Sequence, residues 1–225
     1  MKNNFLKYIV IILVTCLNAP SFSNDLIFDT ETINITNKGN LTTAKNGKVN
    51  LKNENLEITG ETFEYDDKKK LLTVFNAISF LTNDKIKIKS DKISYDRNKF
   101  LLIASGDVEL ENLRDNSTIL TQELIFDNNL KKIISEKKAK FKDKNNNLLS
   151  TEKFYYDVKT NITKIDTLKL QDSQNNKYFL EKSFLNMKTK KLVGKDVFVS
   201  LENLVSGNNF RIKSLGIEKD DNLTI

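Results

Sequence analysis

A unit of about 30 residues recurs along this chain and leaves room for little besides stacked β-structure. Its clearest copy is Ser90 to Leu110, SDKISYDRNKFLLIASGDVEL. Ile93 and Tyr95 share one parity, and Lys92 and Ser94 the other. Asp96-Arg97-Asn98-Lys99 is a polar, turn-prone break. A second apolar run follows, Phe100 to Ile103, continuing through Ala104, Gly106, Val108 and Leu110 at every second position. Two period-2 runs about a polar break read as strand, turn, strand. An aromatic-Asp pair marks each copy: Tyr65-Asp66, Tyr95-Asp96, Phe126-Asp127 and Tyr156-Asp157, at steps of 30, 31 and 30 residues. An apolar residue stands two positions before each aromatic (Phe63, Ile93, Leu124, Phe154), and a fifth, degenerate copy places Phe184 30 residues after Phe154, with Asn186-Met187 in place of the pair. The spacing predicts an all-β chain of two-stranded repeats, with no long helix after the first two dozen residues.

The front end differs. Lys2 and Lys7 precede an apolar run, Tyr8 to Leu17, which closes near Ala19, Ser21 and Ser23. A basic start, a short apolar stretch and small residues are the layout of a secretory signal peptide, too short to span a bilayer as a helix. The expected division is 1–23 signal peptide, 24–48 polar lead-in or edge segment, and 49–225 a single β domain. Cleavage after Ser23 removes Cys16, the chain's one cysteine. The remainder has no thiol, and the whole chain has no histidine. Disulfides and thiolate or imidazole metal sites are therefore not expected in it, nor is any cofactor. The net charge of +6 falls to +4 without Lys2 and Lys7. Its lysines are scattered over alternating strands, as on a solvated face, or as in attraction to an anionic lipid or membrane surface. No aromatic-interleaved basic patch points to nucleic acid.

Catalysis finds little support. Without histidine or cysteine the candidates are Asp66, Asp96, Asp127 and Asp157, and Asp directly after a strand is the residue that caps a turn. A catalytic group is not expected in every repeat, so the chain is read as a non-enzyme. The apolar positions carry the functional hypothesis: Phe63, Tyr65, Ile78, Phe80, Ile86, Ile88, Ile93, Tyr95, Val108, Leu110, Leu124, Phe126, Phe141, Phe154, Tyr156, Leu168 and Leu170. They fit a packed core. They equally fit the lining of a long apolar trough for acyl chains, each buried methylene contributing about 0.8 kcal/mol. Sequence alone does not separate the two.

The string at 90–110 resembles the repeat of the OstA-like family of lipopolysaccharide-transport proteins, with Ser90, Asp91, Ile93, Tyr95, Asp96, Gly106, Val108 and Leu110 fitting its pattern. Residues 56–66 fit in part. The copies at 121–141 and 151–170 keep the front half without the glycine. The resemblance implies a β-jellyroll with an open, V-shaped apolar groove that holds the acyl chains of lipid A. It also implies a periplasmic location, edge-strand pairing with other jellyroll proteins of the lipopolysaccharide bridge, and an outer-membrane partner. Among the family's types (LptA, LptC, LptD), the run of diverged repeats leans toward the N-terminal periplasmic domain of the outer-membrane assembly protein, as a truncated chain. Two other readings stay open: a structural β-solenoid surface or passenger domain without lipid binding, and a solenoid hydrolase using Asp96 and Asp127.

Overall fold

The computed structural model describes residues 26–114, 116–142, 148–171, 176–189, 191–202 and 209–219, with side chains followed to residue 200 and at a few positions beyond. The predicted leader, 1–23, lies outside them. The strands are β1 (Leu26–Thr36), β2 (Leu41–Leu51), β3 (Leu56–Asp66), β4 (Leu71–Leu81), β5 (Ile86–Asp96), β6 (Leu101–Asn112), β7 (Ser117–Asp127), β8 (Lys132–Ser135), β9 (Ala139–Lys142), β10 (Leu148–Thr151), β11 (Lys153–Asp157), β12 (Ile162–Gln171), β13 (Lys177–Asn186), β14 (Leu192–Glu202) and β15 (Asn209–Lys219). They form one antiparallel sheet in sequence order, with β9 and β10 completing the partners of β7 and β12. This is the all-β chain of two-stranded, 30-residue units that the repeat predicts, in the jellyroll that the resemblance implies.

The sheet begins earlier than the alternation suggests. Residues 26–48, within the expected lead-in or edge segment, form β1 and most of β2, paired from Leu26↔Leu51 to Thr36↔Leu41. As an edge strand β1 buries little, so its polar residues hide the strand period.

Burial parity flips in mid-strand. β5 buries Ile86, Ile88 and Ser90, then Ile93 and Tyr95; β4 buries Leu72 and Val74, then Ala77, Ser79 and Leu81. A strand that skips one position yet keeps the same face inside must bend there. The bend falls on left-handed residues in the even strands: Asn46, Asn76, Asp107, Thr167 and Asp196. Four of these five are Asn or Asp, the non-glycine types that tolerate positive φ best. Beside Asp107, Gly106 has φ +75°, and a Cβ there would sit 2.3 Å from the Asp91 carboxylate. The register shifts at the same place, between Lys89 and Lys92 and between Ser105 and Val108. Between the third and fourth copies the bend interrupts the strands outright, leaving β8/β9 and β10/β11 as separate pieces.

The bends line up into a crease that folds the sheet on itself. Phe28 of one layer meets Phe63 of the other edge-on, centroids 6.4 Å apart, and Phe141 meets Phe154 likewise at 5.0 Å. The interior between the layers is the core.

The repeated aspartates close the turns. Asp66 Oδ1 accepts from the Lys68 and Lys69 amides at 3.1 Å each, and Asp96 Oδ1 from Asn98 (3.0 Å) and Lys99 (3.2 Å). Asp127 takes the Leu130 amide and Asp157 the Thr160 amide. In the degenerate fifth copy Asn186 does the same with Lys188 and Thr189. The Lys69 amide holds Asp66 below the ordinary carboxylate range, and the Thr160 amide does so for Asp157. Burial would raise Asp96, but the Lys99 ammonium and amide outweigh it and lower it. A carboxylate depressed in the folded state contributes stability that is present above its unfolded pKa of about 3.9 and is lost as pH falls through the folded value. Stability should therefore drop below about pH 4. Asp96→Asn keeps the amide acceptor, so it should leave the neutral-pH urea midpoint nearly unchanged and flatten the acid limb. A limb as steep as wild type would contradict this role.

Candidate functional site

The inner face carries an unbroken track across twelve strands. Directly opposed residues run Ile35, Thr42, Tyr65, Leu72, Tyr95, Leu102, Phe126, Ile133, Tyr156, Thr163, Leu185 and Leu192. At roughly 4.8 Å per strand this is about 50 Å of surface, apolar apart from two threonines. Ile33 and Ile35 open the track at the β1 edge, where they are 53% and 60% exposed on the inner face. There the V gapes. Deeper in, the layers are in contact, and Ile88, Ile93 and Tyr95 have no exposure.

Most positions expected to line the trough share this interior. Phe63, Tyr65, Ile86, Ile88, Ile93, Tyr95, Val108, Leu110, Leu124, Phe126, Phe141, Phe154, Tyr156 and Leu168 are all buried, and Leu170 is half-buried against them. Ile78 and Phe80 are placed elsewhere. Their cross-strand partners are Lys89 and Lys87, and they lie on the outer face while Ser79 and Leu81 point inward. The parity flip at Asn76 exchanges the faces, and the Lys85 ammonium covers the Phe80 ring at 5.9 Å. Leu72, Val74, Leu102 and Ile133 are interior residues that the alternation from the aromatic-Asp pairs passed over. Their signal is register: each stands opposite an aromatic or aliphatic of the neighbouring strand.

Because every strand bends, its two ends approach each other, and the turns form two rims facing across a seam. Within each rim the turns continue the ladder: Arg97 N donates to Lys70 O (3.0 Å), Asn128 N to Phe100 O and Leu113 N to Lys85 O (both 2.9 Å). Across the seam the links are between side chains or from side chain to backbone. Arg97 Nε lies 3.4 Å from Glu54 Oε1, while on its own side of the seam its Nη1 donates to the Tyr65 hydroxyl at 3.4 Å. Asn128 Nδ2 donates to the Glu54 carbonyl at 3.1 Å, and Lys131 Nζ pairs with Asp84 Oδ2 at 2.9 Å. Lys131 also stands over the Phe126 ring at 5.6 Å. The sites are enclosed, with side chains of Glu54 and Arg97 only 7% and 19% exposed. Burial, then the Glu54 carboxylate, push the Tyr95 hydroxyl far above its ordinary pKa. Burial would lower the Arg97 guanidinium, but Tyr65 and Glu54 outweigh it and raise it.

A family model described as "OstA-like protein" matches residues 26–182, from the first residue of β1 into β13. The chain belongs to the OstA-like family. A similar solved structure is the crystal structure of LptH, described as the LptA-homologous periplasmic component of the conserved lipopolysaccharide transport device from Pseudomonas aeruginosa. It shares 12% identity over 70% of this chain and 93% of that one, with a TM-score of 0.26. No curated protein matches the sequence. In this OstA-like chain the sheet runs on past the matched stretch, with β14 and β15 added by the same antiparallel pairing.

Proposed function

We propose that this OstA-like chain carries lipopolysaccharide through the periplasm, its acyl chains held between the two layers and handed along the inner track. The observation that carries this reading is the continuity of that track, apolar over some ten strands and reaching solvent at Ile33 and Ile35. Apolar residues exposed on the inner face of an edge strand suit continuation into a neighbouring roll. Among the described residues β1 pairs only with β2 and β15 only with β14, which leaves each sheet edge for edge-strand pairing with another jellyroll protein or an outer-membrane partner. The aspartates are occupied as turn acceptors, which supports a carrier without catalysis, and nothing in the reading calls for a cofactor.

The filled deep interior favours a second reading, a rigid β-spacer that binds no lipid. A photo-crosslinking residue at Ile35 separates the two, with Asn34, on the outer face beside it, as control. Lipopolysaccharide adducts at Ile35 and not at Asn34 are the expected result. Equal labelling at both, or none at Ile35, would sink the carrier reading.

A further inference from the structure

We infer that acyl chains pass into the interior sideways, through the seam between the turn rims, and that Arg97 and Lys131 act there both as a latch and as ligands for the lipid's anionic headgroup. This rests on the carrier reading. Chains cannot lie against residues with no exposure, such as Ile88 and Tyr95, unless the layers part. On the crease side the layers are one set of hydrogen-bonded strands, continuous in backbone, so separation there would tear the ladder. On the seam side among the described residues they are held by Arg97–Glu54, Lys131–Asp84 and the Asn128 amide. The seam is the side that opens, with the crease as hinge.

The chemistry of an amphiphile points the same way. A charged, hydrated head cannot travel through a dry interior. It needs a slit running parallel to the track, and the seam, with turn stacked on turn, is such a slit. Opening it takes the Glu54 and Asp84 carboxylates away from Arg97 and Lys131. A phosphate can replace each carboxylate, since a guanidinium fork and an ammonium both suit phosphate oxygens. Anionic headgroup and carboxylate thus compete for the same cations, and the lipid opens its own way in.

The test uses the full chain with Cys16→Ser, Glu54→Cys and Arg97→Cys, bridged across the seam by a reducible bis-thiol reagent. The probe is lipopolysaccharide with a diazirine on an acyl chain, and adducts at interior residues are counted before and after reduction. Bridging should cut interior labelling at least ten-fold, with reduction restoring it. Equal labelling in bridged and reduced forms overturns the route alone. No labelling in any form, wild type included, overturns the carrier reading and the route together. A probe with its phosphates removed should label the wild type several-fold more slowly, and an unchanged rate overturns the headgroup role. Hydrogen exchange gives a lipid-free check on Glu54→Gln/Lys131→Gln. Rim amides should exchange faster while crease amides near Asn76 and Asp107 keep wild-type protection; a uniform change, or none, overturns the latch.

Discussion

Phe154→Ala should cost about 3–5 kcal/mol of folding free energy, the largest effect of any single truncation considered for this fold. Phe154 is fully buried and meets Phe141 of the opposite layer edge-on at 5.0 Å. Its removal takes away transfer free energy, opens a cavity between the layers and abolishes an aromatic contact worth about 0.5–1.5 kcal/mol beyond its area. In a chain of this length about 2–4 °C of Tm accompanies each kcal/mol, so thermal melts should shift by roughly 6–20 °C. Denaturant unfolding gives the free energy directly. Phe179→Ala is the comparison: Phe179 is half-buried opposite Lys169 on the outer face, and its truncation should cost about 1 kcal/mol or less. A loss below about 1 kcal/mol at Phe154 would mean that the layers do not pack as described.

Arg97→Ala should cost about 2–4 kcal/mol, most of it from what is left behind. Glu54 would remain largely out of water with its cation gone, and its Oε2 already lacks a hydrogen-bond partner. Removing one member of a buried pair strands the other charge, whereas removing both can be close to neutral. Glu54→Gln/Arg97→Met should therefore lie within about 1 kcal/mol of wild type, well above Arg97→Ala alone. A double-mutant cycle over these substitutions measures the coupling. If the double substitution is as unstable as Arg97→Ala, Arg97 acts through packing of its stem and not through Glu54.

The 30-residue repeat, its turn aspartates and its two-strand unit were legible because each is local. Period-2 alternation reports a half-buried strand wherever one face is covered, and an Asp after an aromatic caps its own turn within three residues. Fourteen of the seventeen trough positions are buried, and eight of them, Phe63, Tyr65, Ile93, Tyr95, Leu124, Phe126, Phe154 and Tyr156, are so for the same reason, since they directly precede those turns in constant phase. Ile78 and Phe80 lie beyond a phase slip. The slip has a signature, Asn or Asp near mid-strand at Asn46, Asn76 and Asp196, but a polar residue within an alternating run also reads as an ordinary outward position. β1 was obscured because an edge strand buries too little to imprint its period.

What the sequence determined by itself is the class of fold, its unit and the absence of thiol and imidazole chemistry after Cys16, all set by composition and by contacts a few residues apart. Only the tertiary structure decided that the sheet folds along a crease, that turns 43 to 47 residues apart meet as Arg97–Glu54 and Lys131–Asp84, and which apolar residues face inward beyond each bend. Those facts depend on the direction in which successive strands bend. A one-residue slip in burial parity reverses every side chain after it, and the partner across a seam is fixed by the sum of all the bends between.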